Sequence, residues 1–177
     1  PDEYVIRYQS DFYQIDQLYR LATEAYYKIS PSLSLYGAVQ TVKQTLDFNY
    51  AKLANRINLE WTRCVKDAGG MTALHQPKQQ DFYEREIKPI QKKVAVIVSD
   101  ALRYEVAHQL IGELAKSKHV ARLNSAIAML PTETKFCKPS LFPHRSLTLY
   151  GDSTEQNMSV DNKILSDINK RTEHLQN

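Results

Sequence analysis

Glycine and cysteine are both scarce in this 177-residue sequence, and each scarcity argues against a class of protein. Five glycines supply few of the turn positions that an all-β fold with many short strands requires. The two cysteines, Cys64 and Cys137, lie far apart and form no CxxC pair, so a disulfide scaffold is not expected. A cytoplasmic location, where thiols stay reduced, fits this cysteine usage better.

Positive charge and long apolar runs are also limited. The formal net charge is +3 and no dense run of lysine and arginine occurs, so the sequence does not support a nucleic-acid-binding function. No stretch approaches the about 18 apolar residues that a transmembrane helix needs, and the charged N-terminus lacks the apolar core of a signal peptide. We therefore expect no membrane association. Because the sequence begins at Pro1 and not at methionine, we expect a piece of a longer protein.

Helical periodicity dominates the first half of the chain. Apolar residues recur every three or four positions over residues 10–29 and 37–68, and a third helical stretch covers residues 79–91. The second of these helices is predicted to end at the glycine pair Gly69-Gly70. The aromatic and leucine-rich stripes could form a partner-binding surface, but packing against a core is the simpler interpretation.

The pattern changes from residue 92 onward. Residues 94–99 form an apolar, β-rich run without alternation, which is typical of a parallel strand covered on both faces. Residues 102–117 read as an amphipathic helix, and residues 119–130 as a second strand. Strand, helix and strand predict one right-handed, parallel βαβ unit.

The predicted fold class is therefore α/β. A helical region over residues 1–91 is followed by an α/β region over residues 92–177 that holds the first βαβ portion of a parallel sheet. Because a sheet that stops after two strands leaves apolar faces uncovered, self-association of this chain is also expected.

Asp100 stands directly after the first predicted strand. In open α/β sheets, functional sites form at the carboxyl ends of the strands, and a carboxylate there can bind a divalent metal ion. The alternative is that Ser99 or Asp100 only caps the N-terminus of the following helix. The sequence alone leaves both roles open.

Two threonines, Thr132 and Thr134, follow the second predicted strand and precede a short helical segment. A hydroxyl at a helix N-terminus, beside a metal held by Asp100, suits phosphoryl transfer. The metal would lower the pKa of the hydroxyl, and the free N–H groups of the helix would receive phosphate charge. Capping of the short helix is again the alternative for either threonine.

These residues belong to two longer stretches that carry a recognisable pattern. Residues 94–110 read VAVIVSDALRYEVAHQL, and residues 128–144 read AMLPTETKFCKPSLFPH. Both stretches resemble the PglZ family, bacterial proteins of the BREX and Pgl phage-resistance systems with a domain of the alkaline-phosphatase superfamily. Residues 98–105 match the pattern (V/I)SDALRYE in full, and the second stretch fits LP-(S/T)-x-T…LLPH. The family pattern after this stretch is matched more loosely, by Gly151, Ser153, Thr154 and residues 162–165.

The resemblance implies a sheet of alkaline-phosphatase type and a mechanism. In the superfamily, the aspartate after the first strand is a metal ligand, usually for zinc, and it corresponds to Asp100. The nucleophile begins a helix after the next strand and also contacts metal; it corresponds to Thr134, with Thr132 as the alternative. The implied activity is that of a metal-dependent phosphatase or phosphodiesterase with a covalent phospho-enzyme. The implied partners are other phage-defence proteins, with a DNA methyltransferase as one candidate.

The sequence also departs from the family pattern. Where the family has Gly-Met-Ala-Ala after the threonine, this chain has Cys137, Lys138, Pro139 and Ser140. A two-metal phosphatase needs about six Asp and His ligands, most of them farther downstream, and the five histidines here show no ligand spacing. We therefore expect a truncated domain with at most the first half of a site, inactive alone. The alternative function is a non-catalytic scaffold that binds defence proteins through its helical half.

Overall fold

The structure, a computed structural model, describes residues 1–152, 156–165 and 167–176. Two residues of the looser match to the family pattern, Ser153 and Thr154, lie outside the described residues. Within the described ranges, no helix combines the length and the apolar character needed to cross a membrane.

The chain divides into two compact units, and neither is continuous in sequence. The first unit comprises residues 1–75 and 102–123, and the second comprises residues 76–101 and 124–177. The helix predicted after Asp100 thus groups with the N-terminal helices. The predicted domain boundary at residue 91 stays a prediction.

The first unit is helical, as the periodicity predicted. The helices predicted over 10–29, 37–68 and 102–117 are confirmed, although the N-terminal one continues an earlier helical segment through a π-helical turn at Tyr8–Phe12. The helices of this unit are α1 (Asp2–Arg7), α2 (Tyr13–Tyr27), α3 (Tyr36–Asp67) and α4 (Tyr104–Lys116).

The long helix α3 ends at the predicted glycines. Gly69 and Gly70 have φ values of 95° and 102°, a region that residues with a side chain rarely adopt. The N–H of Gly70 donates to the carbonyl of Val65 (2.8 Å), and that of Gly69 donates to the carbonyl of Lys66 (3.0 Å). This pair of bonds is the Schellman arrangement, which satisfies carbonyls that the last turn of a helix leaves free.

The second unit holds a small antiparallel sheet and short helical segments. Its regular elements are α5 (Thr134–Cys137), β1 (Leu147–Gly151), β2 (Gln156–Val160), β3 (Lys163–Ile164) and α6 (Ile168–Gln176). The sheet order is β1-β2-β3. The turn between β2 and β3 is Asp161-Asn162, with φ values of 49° and 64°, and two such residues suit the twist of a tight hairpin. Among the described residues of this unit, Phe136, Met158, Val160 and Leu165 are buried and apolar, as is Pro139.

The mixed α/β class and the helical first half are confirmed, but the strands lie elsewhere than predicted. Residues 94–99 are exposed and form no strand, and Ile97 is 91% exposed. Within the described residues, no backbone hydrogen bond joins this segment to another. Residues 124–130 do alternate between exposed and half-buried, yet in the part of the chain that the structure describes they form no strand, and an isolated parallel bridge joins Ile127 to Lys78.

The prediction of strands at 94–99 and 119–130, paired in one parallel sheet, was therefore wrong. The physical reason is that apolar, β-branched composition favours an extended backbone but does not supply a partner for its N–H and C=O groups. The predicted helix over 79–91 was also only partly right. A 3₁₀ turn at Gln79–Asp81 and a π-helical turn at Tyr83–Ile87 stand in its place, before the proline at position 89 that disfavours a continuing helix.

Asp161 gives the hairpin a dependence on pH that can be tested. Its carboxylate accepts hydrogen bonds from the backbone N–H groups of Ser146 (2.8 Å) and Arg145 (2.9 Å), and these bonds keep the pKa of Asp161 below its usual value. Because the pKa is lower in the folded state, the ionised carboxylate stabilises the fold at pH values above the pKa of an aspartate in the unfolded chain, about 3.9. This contribution to the free energy of unfolding is lost as the pH falls through the pKa of the folded state.

We therefore expect the Asp161→Asn variant to lose less stability than the wild type between about pH 5 and pH 2, because asparagine cannot be protonated in this range. Asparagine also tolerates the positive φ of this turn. Urea midpoints measured across this pH range provide the comparison. Equal acid sensitivity of the two proteins would contradict the role given to this carboxylate.

Candidate functional site

Asp100 lies in an exposed turn and not at the start of a helix. Its side chain is 66% exposed, and the next residue, Ala101, has a φ of 55°. Helix α4 begins at Tyr104, with Arg103 in the N-cap position and without a side-chain capping bond. The capping alternative, in which Ser99 or Asp100 caps this helix, is therefore wrong.

The partner of Asp100 is a lysine from the segment that follows Thr134. The ammonium of Lys138 lies 3.5 Å from Oδ2 of Asp100. Lys138 directly follows α5, and its N–H donates to the carbonyl of Thr134 at 3.0 Å. Residues four apart on a helical turn are neighbours, so this ion pair brings the carboxylate to the turn that Thr134 begins.

Neither threonine has a capping role. Helix α5 starts at Thr134 and has Glu133 in the N-cap position, again without a side-chain capping bond. The carbonyl of Glu133 accepts hydrogen bonds from the N–H groups of Phe136 and Cys137, both at 2.9 Å. Thr132 and Thr134 are both exposed. Of the two, only Thr134 shares the helical turn with Lys138.

Buried side chains pack under the turn that begins with Thr134 and form hydrogen bonds with it. Phe136 is almost fully buried, and the hydroxyl of the buried Ser140 donates to the carbonyl of Cys137 at 2.8 Å. The side chain of Gln79 donates to the same carbonyl (3.0 Å) and accepts from the N–H of Met129 (3.1 Å). Burial also raises the pKa of the Cys137 thiol.

Pro139 does not disrupt this turn. It is buried and begins a separate 3₁₀ turn, Pro139–Leu141, after the four-residue helix α5 has ended. A proline at the first position of a helical turn lacks only an N–H that would have no partner within that turn. The helix that begins with Thr134 is thus four residues long, and Pro139 starts the next turn.

The described residues do not form a metal centre by themselves. No three His, Cys, Asp or Glu side chains converge anywhere in the described ranges. Asp100 and Thr134 offer two oxygen ligands, whereas a catalytic zinc site has about three protein ligands. Four histidines instead have a ring nitrogen within hydrogen-bond distance of a protein oxygen, and these are His75, His108, His144 and His174.

A second feature lies in the first unit and involves Glu105, a residue of the SDALRYE motif. Glu105 is fully buried. Nε of Arg20 donates to Oε1 (3.1 Å) and Oε2 (3.0 Å) of Glu105, and Nη2 donates to Oε2 (2.9 Å) and to Oε1 of Gln109 (2.6 Å). The hydrogen bonds to Glu105 raise the pKa of Arg20. Beside this pair, the ring of Tyr104 packs edge to face against that of Tyr13.

The motif therefore has two structural roles. Residues 98–101 belong to the second unit and end at the turn of Asp100, whereas residues 102–105 belong to the first unit and supply the buried carboxylate. From the sequence, roles were predicted only for Asp100 and, as a possible helix cap, for Ser99. The role of Lys138 was also missed. The signal available in the sequence was a lysine where the family pattern has a methionine, because an ammonium in such a position needs an opposite charge nearby.

Comparisons with known proteins show what this chain is similar to. Residues 82–177 match the family model described as the BREX system PglZ alkaline phosphatase-like domain. The chain is 30% identical to the alkaline phosphatase-like protein BrxZ of Escherichia coli O9:H4 (strain HS), over 96% of this chain and 20% of that protein. It is 26% identical to the alkaline phosphatase-like protein PglZ of Bacillus cereus (strain H3081.97), over 93% of this chain and 19% of that protein. The chain thus spans about a fifth of the length of these relatives. No solved structure matches it.

Proposed function

Because this chain belongs to the PglZ family of alkaline phosphatase-like domains, we propose that it contributes the first part of a phosphatase or phosphodiesterase site to a bacterial phage-defence protein. The observation that supports this proposal most directly is the ion pair between Asp100 and Lys138. It brings the carboxylate after residues 94–99 to the turn that begins with Thr134. In this proposal, Lys138 links the two polar groups that phosphoryl transfer requires, because its ammonium pairs with Asp100 and its N–H donates to the carbonyl of Thr134.

In this proposal, Thr134 is the nucleophile. Its Oγ1 forms a bond to phosphorus and its proton passes to solvent, while the leaving alcohol departs with the electron pair of the breaking P–O bond. Water then hydrolyses the phosphothreonine and restores the hydroxyl. Asp100 is proposed to bind a divalent cation, Zn²⁺, whose further ligands come from residues outside this chain. The exposure of both side chains leaves them accessible to these groups.

A scaffold without catalytic activity is the second candidate, and one observation favours it. In the described residues, Asp100 faces an ammonium group and is not part of any cluster of three metal-ligating side chains. In this alternative, the helical first unit binds other proteins of the defence system, with a DNA methyltransferase as a candidate partner.

Zinc titration of this chain by calorimetry separates the two candidates. If Asp100 is a ligand, Asp100→Ala is expected to weaken zinc binding by roughly tenfold or more, and Thr134→Ala by a smaller factor. Asp67→Ala, which removes another exposed aspartate at the end of α3, provides the matched control and should leave the affinity unchanged. Equal affinity of the wild type and Asp100→Ala would remove Asp100 from the metal site and favour the scaffold.

A further inference from the structure

Residues 94–99 are exposed, and their backbone has no strand partner in the ranges that the structure describes. Their sequence, VAVIVS, is nevertheless that of a strand. An unpaired backbone edge of this composition is a template for pairing with another chain. We propose that this segment pairs antiparallel with the same segment of a second copy of the chain. This surface is independent of metal binding and of catalysis.

The side chains of the segment alternate as they do along an extended backbone. Val94, Val96 and Val98 are 49%, 46% and 44% exposed, whereas Ile97 is 91% exposed. Val96 and Val98 line a cavity within the second unit, together with side chains such as Leu141. Successive side chains of a strand point to opposite faces. The three valines therefore share the face toward the unit, and Ile97 lies on the other face.

Two-fold symmetry restricts how two such segments can pair. In an antiparallel pair, residues directly opposite each other lie on the same face of the ribbon. The two-fold axis that relates the copies stands perpendicular to the ribbon, so it leaves each face in place. A residue can therefore face only a residue an even number of positions away. Registers centred on residue 95, 96 or 97 meet this condition.

Charge selects the register centred on Val96. Its opposite residues are Val96 and its own copy, Val94 and Val98, and Lys92 and Asp100. By symmetry, the contact of Lys92 with Asp100 occurs twice, and opposite charges directly across two strands stabilise the pairing. A centre at residue 95 places Lys92 opposite Val98, and a centre at residue 97 places Asp100 opposite Val94. Both of these registers set a charge against a valine.

Asp100 can accept a second ammonium group in this dimer. Its side chain is 66% exposed, and the ammonium of Lys138 lies 3.5 Å from its Oδ2. A carboxylate has a second oxygen that can accept from another donor. Lys92 is exposed as well. A lysine beside an exposed strand commonly deters pairing with other chains, but in this register Lys92 meets a carboxylate.

A charge exchange between copies tests the pairing. Sedimentation velocity at low ionic strength should show a dimer that forms as the wild type is concentrated from about 10 to 500 µM. Lys92→Glu sets like charges opposite each other twice, as does Asp100→Lys, so each variant is expected to weaken the dimer by roughly tenfold. An equimolar mixture of the two variants should recover it, because each variant then offers the charge that the other requires.

Lys93→Glu is the matched control for the charge exchange. It changes the net charge as Lys92→Glu does, but in this register residue 93 faces Ser99 on the opposite face of the ribbon. Its dimer should stay within about twofold of the wild type. Circular dichroism shows whether each variant is folded.

Ile97→Lys tests the segment without changing the charge pairs. Because Ile97 is 91% exposed, the substitution should leave the fold intact. It sets an ammonium against Ala95 of the second copy and is expected to weaken the dimer by roughly tenfold. Val120→Lys, at a β-branched residue that is 97% exposed and outside the segment, should leave the dimer unchanged.

Three results overturn the pairing of residues 94–99 with a second copy. The first is a wild type that stays monomeric over the whole concentration range, since the partner of the segment would then be another chain. The second is a dimer that Ile97→Lys weakens no more than Val120→Lys, and this comparison decides alone if Asp100→Lys does not fold. The third is a mixture of the two charge variants that associates no better than either variant by itself. The zinc titration is a separate measurement, so the proposed function stands or fails independently.

Discussion

Replacing Arg20 by alanine is expected to lower the free energy of unfolding of the helical unit by about 2–3 kcal/mol. The variant leaves the carboxylate of Glu105 fully buried and removes the guanidinium that donates three hydrogen bonds to it. The remaining cation near Glu105, that of Arg103, lies 3.4 Å away on a side chain that is 64% exposed. The buried carboxylate would therefore keep a weak ion pair in place of three hydrogen bonds, which does not offset its lost hydration. The estimate lies below the full value for a buried pair because Arg20 itself is 28% exposed.

Urea unfolding followed by the fluorescence of Trp61, the single tryptophan, measures this effect within the helical unit. Arg7→Ala is the matched control. Its exposed partner, Glu3, lies one helical turn away at 2.8 Å, and losing such a surface pair should change stability by less than about 0.5 kcal/mol. The double variant Arg20→Met/Glu105→Leu should recover part of the loss, because it leaves no buried charge. A midpoint for Arg20→Ala equal to that of Arg7→Ala would show that Glu105 does not depend on Arg20.

Replacing Phe136 by alanine is expected to destabilise the second unit by about 3–4 kcal/mol. Phe136 is the second residue after Thr134, and its almost fully buried ring packs behind the exposed face of α5. Truncation removes a large apolar side chain from water-free surroundings and leaves a cavity that the neighbours fill only in part. The same change should therefore loosen the turn that connects Thr134 to Lys138.

Hydrogen exchange of the backbone amides of β2 measures the stability of this unit, because these amides pair with β1 in the sheet. The control is Phe48→Ala, the same substitution at a site in α3 that is 69% exposed, where the change should stay within about 0.5 kcal/mol. Equal protection of β2 in the Phe136→Ala variant and the wild type would mean that this ring is not part of the core of the unit.

The helices could be predicted from the sequence because their hydrogen bonds are local. Each N–H finds its acceptor four residues earlier, so periodicity and end signals over a single segment suffice. The course of α3 illustrates this, since its apolar repeat predicted its length and Gly69-Gly70 predicted its end. The family motifs around Asp100 and Thr134 could also be recognised in the sequence, because they are short contiguous patterns.

The pairing that residues 94–99 lack and the long-range ion pairs depend on groups far apart in the chain. Residues 94–99 have the composition of a buried strand, but a strand also needs a partner, and no described segment pairs with them. The main partners of two motif carboxylates lie outside the motif. Glu105 accepts three hydrogen bonds from Arg20, besides an ion pair with Arg103 of the motif itself, and Asp100 pairs with Lys138. Local propensity thus determined the helices of this protein. Tertiary structure alone decided which distant backbone edges pair and which distant charges meet, because sequence spacing carries no information on contacts between distant segments.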